Sequence, residues 1–343
     1  MKRDITNNND IKTFVTLGPS SFKKEIIQKI EKESVDYFRI NLSHTPASQI
    51  EKTINMVKSY SHIPICLDSE GAQMRTQSMK DNEVMFYKGD TIKVFFDEVE
   101  GTSNSISFHP NYVSKQFEIN DEIKIDFNTA SIKLIEKNKN YWYATVLSEG
   151  TVGSNKAANI NKDIHLDSLT EKDKIAVDIG KKMGVRHFAL SFASSKQDVL
   201  YMKQLIGNDS QLISKIESRK GLKNLRSIIE ASDNILIDRG DLSREVCIEK
   251  IPFLQRIIIS TAKKMNTPVH VATNLLESML NISEPNRGEV NDVVSTLLSG
   301  ANGLALAAET AIGKYPVEAV KIVRKIIKLV YSWDPDNKVE DYI

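Results

Sequence analysis

Short apolar runs that stop abruptly in polar or charged residues recur along this chain, with amphipathic segments between them. Runs of this kind read as successive parallel strands, because strands covered on both faces are almost continuously apolar and are joined by helices. The first spans 12–17, halted by Gly18-Pro19-Ser20-Ser21, and a helix-like segment at 22–32 follows. A strand at 37–42, a helix at 47–61 and a strand at 63–67 repeat the unit. From about 77 to 161 the rhythm changes to alternation at period two, as in Thr91-Ile92-Lys93-Val94 and Glu122-Ile123-Lys124-Ile125 (the latter run reaching Phe127), with turn signals such as Lys88-Gly89-Asp90 between runs. That stretch predicts a small β barrel or sandwich, inserted after the third strand and working as a lid. The first rhythm resumes after Ser168 or Thr170, either of which suits a helix cap. Strands are predicted at 187–191, 212–216, 234–237, 268–273 and 303–306. Helices are predicted up to 183 and over 196–206, 221–231, 252–265, 286–298 and from 316 towards 333.

Three strands before the insert and five after it make eight β–α units, the count of a (β/α)₈ barrel. The expected domains are a discontinuous catalytic TIM barrel, 1–76 and 162–343, and an inserted small β-barrel lid, 77–161. In such a fold ligands collect at the carboxyl ends of the strands. Lys215 and Glu217 stand at the end of one run and Asp241 just beyond the next, so the three should face one site. Two carboxylates offer only oxygen, which suits Mg²⁺ or Mn²⁺, and a lysine beside such an ion stabilises a phosphate or an enolate. An ordinary Lys215–Glu217 ion pair explains the spacing equally well.

The 343 residues carry 46 Lys plus Arg against 45 Asp plus Glu, so no net field favours nucleic acid or an anionic membrane. Cys66 and Cys247 lack metal-ligand spacing and sit beside apolar residues, which predicts two buried thiols in a reducing compartment. The Asn-rich segment 1–12 has no apolar core of a signal peptide, and no run approaches a membrane span; a cytoplasmic protein is expected.

Several segments, taken in order, resemble the pyruvate kinase family. They are Thr16-Leu17-Gly18-Pro19-Ser20-Ser21, Phe38-Arg39-Ile40-Asn41-Leu42-Ser43-His44 and Asp68-Ser69-Glu70-Gly71-Ala72-Gln73-Met74-Arg75-Thr76. After the insert come Lys215-Ile216-Glu217, Arg239-Gly240-Asp241-Leu242, Ala272-Thr273-Asn274 and Glu309-Thr310-Ala311-Ile312-Gly313-Lys314. The resemblance implies phosphoryl transfer from phosphoenolpyruvate to ADP or another nucleoside diphosphate. It implies Glu217 and Asp241 on the divalent ion, Lys215 on the transferring phosphoryl and the enolate, and Arg39 as a phosphoryl clamp. Gly240 and Asp241 would receive the substrate carboxylate, with Thr273 near the substrate carbon or carboxylate. Asn41, Ser43, Asp68 and Ser69 resemble the family's K⁺ ligands; Asn41, His44, Arg75 and Lys156 would lie on the nucleotide side. A homo-oligomer through the barrel is also implied.

Five departures accompany the resemblance. Glu70 stands where the family has lysine, a reversal that costs about 1 kcal/mol or more next to anionic substrates at intermediate dielectric. Gln73 replaces a glutamate tied to potassium dependence, so a weak K⁺ requirement is expected. Ala307-Ala308 replaces Ser-Gly and removes a hydroxyl implicated in enolate protonation. Ser243 replaces glycine, and Ala193-Ser194 lacks an arginine. The C-terminal regulatory domain of the family is expected to be absent. Two rivals stand beside the kinase: a divalent-metal-enolate aldolase or lyase on the same barrel, and a catalytically silent phosphoenolpyruvate-binding relative.

Overall fold

Eight strands close into a barrel in a computed structural model that describes residues 11–71, 73–126 and 129–343. Residues 1–10 of the Asn-rich segment, Ala72 of the third resemblance segment and Phe127 of an insert run lie outside the described residues. The strands are Lys12–Thr16, Tyr37–Asn41, Ile65–Asp68, His187–Leu190, Gln211–Ile216, Asn234–Asp238, Val269–Ala272 and Gly303–Leu306. They are parallel and follow chain order around the barrel, the eighth pairing with the first through Lys12 opposite Gly303. The residues up to Gly71 together with Ser168–Ile343 form one compact unit, and Ala72–Asp167 forms a second.

Strand pleating decides which side chains enter the barrel. Phe14, Cys66, Ala189, Ile213, Leu236, Ala272 and Ala305 make one buried cluster inside it. Their neighbours Val15, Leu67, Phe188, Leu212, Ile235, Val271 and Leu304 pack outward in the larger core shared with the helices. One pleat further along, the same inner face carries Thr16, Asp68, Ser191, Lys215 and Asp238, all buried. The barrel therefore changes from apolar filling to polar groups within two residues per strand, at its carboxyl end.

The helix Glu171–Lys182 opens with a capping box in which Thr170 accepts from the Asp173 amide. Asp173 does more than cap: its two oxygens also accept the Glu70 and Gly71 amides at 2.7 and 3.0 Å. Burial raises its pKa although four hydrogen bonds favour the ionised form. Asp173→Ala would leave the Thr170, Glu70 and Gly71 amides without their acceptor, so a loss of about 3 kcal/mol is expected in urea denaturation. Asp173→Asn should recover part of it.

Two expectations are corrected here. The helix over 221–231 is two helices, Arg219–Lys223 and Leu225–Ala231, broken at Asn224, whose side chain donates to the Ser194 carbonyl at 2.8 Å. Cys66 is buried but Cys247 is exposed, because the chain leaves the helix Arg239–Glu245 there and turns across the surface.

In the second unit seven strands form a curled sheet and two more a ribbon. The sheet's edges meet through a bridge between Arg75 and Ala157, flanked by amide bonds from Thr76 to Lys156 and from Ala158 to Met74, both 2.8 Å. Met74, Phe86, Phe108, Trp142 and Val152 lie in its core. This unit is wider than 77–161: Met74 already fills its core, and the Asp167 amide still donates to the Tyr112 hydroxyl. Among the described residues no helix is long and apolar enough to cross a membrane.

Candidate active site

Lys215 is the last residue but one of the fifth strand, and its ammonium lies in a ring of acceptors. Nζ is 3.2 Å from Glu217 Oε2, 3.4 Å from Asp238 Oδ2 and 3.5 Å from Asp68 Oδ2, and donates to Ser191 Oγ at 3.0 Å. Burial alone would discharge it; Asp68, Glu217 and Asp238 together overcome burial and hold its pKa above the ordinary lysine value. Arg39 donates through Nε to Asp68 Oδ2 at 2.7 Å, reaches the same oxygen with a second nitrogen, and bonds Thr16 Oγ1 at 3.0 Å. Its guanidinium is thus oriented by Asp68 before any anion arrives.

Glu217, Asp238 and Asp241 each offer an oxygen within 4.8 Å of the others. Glu217 is completely buried. Its Oε1 accepts from the Phe192 amide at 2.6 Å, while among the described residues Oε2 makes no hydrogen bond and has only the Lys215 ion pair. Burial raises the Glu217 pKa well above the carboxylate range; Lys215 opposes this, and Asp241, Asp238 and Asp68 add to it. Asp238 behaves oppositely, because Lys215 and Arg39 outweigh its burial and lower its pKa. An all-oxygen cluster with a buried, underused carboxylate oxygen fits a hard divalent cation such as Mg²⁺.

Asp241 reaches this cluster from just beyond its strand. The sixth strand ends at Asp238, and Asp241 belongs to the first turn of the helix Arg239–Glu245, paired with Arg244 at 3.2 Å. The carboxylate at the strand end is Asp238, which sequence reasoning missed. The signal was present: Asp238 is two residues beyond inward-facing Leu236, as Lys215 is beyond Ile213.

Thr273 stands just past the seventh strand with φ +75°, and Asn274 follows at +54°. Left-handed backbone at two successive non-glycine residues needs support. Arg239 gives it, donating to the Thr273 carbonyl at 3.0 and 2.7 Å and to the Asn274 carbonyl at 3.0 Å, while Asp292 holds the guanidinium at 2.6 Å. Thr273 Oγ1 then donates to Asp238 Oδ1 at 2.7 Å. A Cβ on Gly240 would come within 2.7 Å of Thr273 Cγ2, so glycine is required by close approach. Buried Glu309 secures the next turn, accepting the Leu275, Leu276 and Ala307 amides. Arg239 as a clamp, Asp292, Ser191 and Glu309 were also missed, since their partners are remote in sequence.

The remaining expected residues are used locally. Asn41 Oδ1 accepts the Ser43 amide at 2.9 Å and caps the turn Leu42–His44, on which His44 is exposed. Asp68 serves Arg39, Lys215 and Ser191, and Ser69 Oγ accepts the Ser191 amide at 2.9 Å. Glu70, whose charge reversal promised a penalty, is paired with Lys172 at 3.4 Å. In the second unit Arg75 donates to the Asn155 carbonyl and Lys156 pairs with Asp126 at 3.2 Å.

A (β/α)₈ barrel whose mouth sets a buried lysine and an oriented arginine against a carboxylate triad defines a class of enzyme that works on phosphorylated or enolic substrates with a divalent cation. Comparison with known proteins narrows the class. The model of the pyruvate kinase barrel domain matches residues 8–320. A pyruvate kinase of Thermotoga maritima is 33% identical over 92% of this chain and 70% of its own length. One of Staphylococcus saprophyticus is 31% identical over 92% of this chain and 56% of its own. The crystal structure of a pyruvate kinase from Cryptosporidium parvum superposes with a TM-score of 0.85 at 28% identity, covering 95% of this chain and 70% of that one. The chain belongs to the pyruvate kinase family, as a pyruvate-kinase-like phosphotransferase.

Proposed function

We propose that this chain moves the phosphoryl group of phosphoenolpyruvate to ADP, or to another nucleoside diphosphate, giving pyruvate and ATP in the cytoplasm. The observation that carries the reading is the Lys215 ammonium, buried at the barrel mouth within 3.5 Å of three carboxylates. Glu217 and Asp241 would hold Mg²⁺ or Mn²⁺, which when bound would offset the negative charge of the substrate oxygens. Arg39, aligned by Asp68, clamps phosphoryl oxygens with the guanidinium edge left to it. Lys215 faces the charge that spreads over the phosphoryl oxygens and the enolate oxygen as the ester P–O bond breaks and the bond to the acceptor oxygen forms. Gly240 and Asp241 receive the substrate carboxylate and Thr273 orients the three-carbon end. Asn41 and His44 serve the nucleotide.

The reading is tested by incubating the protein with Mg²⁺, phosphoenolpyruvate and ADP and following ATP and pyruvate. Stoichiometric ATP and pyruvate are expected, with a weak dependence on K⁺ because Gln73 has replaced a carboxylate. Pyruvate without ATP would redirect the assignment to an altered acceptor. Absence of both products, with saturable Mg²⁺-dependent phosphoenolpyruvate binding, would leave the silent relative or the metal-enolate enzyme.

A further inference from the structure

We propose that Asp238 is a third carboxylate ligand of the divalent cation, beside Glu217 and Asp241. The inference deepens the phosphotransferase reading and rests on it for the metal's role, though not for the metal's binding. Pairing of charge at the mouth leads to it. Asp68 is matched by Arg39, and Asp241 by Arg244. That leaves Glu217 and Asp238, both buried, sharing the single ammonium of Lys215 at 3.2 and 3.4 Å. Ionised together, the two carboxylates carry one negative charge more than the ammonium can match, an arrangement that burial disfavours. A dication held by the two carboxylates removes the excess.

Geometry agrees. The three carboxylates place one oxygen each within 4.8 Å of the others, and buried Glu217 Oε2 has no hydrogen bond among the described residues. Thr273 Oγ1 fixes Asp238 through Oδ1 at 2.7 Å, the kind of outer partner that orients a ligating carboxylate. The plainer role for Asp238, a counter-charge for Lys215, accounts for its 3.4 Å approach to the ammonium but not for the convergence of its carboxylate on those of Glu217 and Asp241.

The experiment titrates Mn²⁺ into the whole chain without phosphoenolpyruvate or nucleotide, reading free Mn²⁺ by its spin-resonance signal. Asp238→Asn keeps the acceptor for Thr273 and should weaken Mn²⁺ by at least about tenfold. Asp238→Cys, made in a Cys247→Ser background, should lose Mn²⁺ to a similar degree yet retain Cd²⁺, because a thiolate suits the softer ion. Circular dichroism on each variant confirms the fold. Mn²⁺ affinity within twofold of wild type in Asp238→Asn would overturn the proposal. So would equal weakening of Mn²⁺ and Cd²⁺ in Asp238→Cys, which marks a purely electrostatic influence. Since no turnover is read, failure of the kinase reading leaves this result intact.

Discussion

Lys215→Ala is expected to lower the rate of phosphoryl transfer by a factor on the order of 10³, the effect of deleting one preorganised stabiliser of developing charge in a site sheltered from water. The ammonium lies within 3.5 Å of three carboxylates, so it is held in place before the reaction and no reorganisation is needed during it. Its removal has a second consequence. Glu217 and Asp238 lose the ammonium they share, and an uncompensated buried carboxylate typically costs about 3–5 kcal/mol. Lys215→Met keeps most of the side-chain volume and separates charge from packing. Both variants should lose activity alike, and both should melt at lower temperature in the absence of Mg²⁺. Coupled assays of pyruvate and ATP, with thermal denaturation followed by circular dichroism, measure the two losses. Activity within tenfold of wild type in Lys215→Met would remove Lys215 from the chemistry.

Much of this architecture is legible in local sequence, because strands covered on both faces leave a simple mark. Ile213 and Leu236 fill the barrel, and their neighbours two residues on, Lys215 and Asp238, line its mouth. That rule, applied to every strand, also selects Thr16, Arg39, Asp68 and Ser191. What it cannot give is partnership. Arg39 reads as a free clamp until Asp68, on the next strand, is seen to hold it. Glu70 reads as a penalty until Lys172, a hundred residues later, is seen beside it. Arg239 reads as part of a turn, but its guanidinium supports the left-handed Thr273 and Asn274 thirty-four and thirty-five residues away. Cys247 misled for a related reason: adjacent apolar residues say nothing about which way an exposed turn presents a thiol. Local pattern decides which face a side chain takes. The closure of the barrel decides what it meets.

Glu217→Gln should lose activity on the order of 10²–10³-fold and at the same time stabilise the metal-free protein. The activity loss follows from removing one of the anionic oxygens offered to the cation; glutamine's carbonyl is a weaker ligand. The gain in stability follows from linkage. Burial lifts the Glu217 pKa well above its ordinary 4.5, so the folded chain keeps a proton that the unfolded chain has released. Its favourable contribution is complete below the unfolded value and is lost as pH rises through the raised one. Glutamine never ionises, and its amide oxygen can still accept from the Phe192 amide, as Oε1 does at 2.6 Å. Without metal, the variant should therefore melt above wild type at about pH 8, and the gap should narrow towards about pH 5. Adding Mg²⁺ should reverse the order, because the cation binds the ionised carboxylate and displaces its proton. Parallel melting curves across this pH range, with or without Mg²⁺, would mean that Glu217 carries no metal-linked proton. The opposite signs in the two conditions are what distinguish a carboxylate retained to hold a cation from one retained to hold the fold.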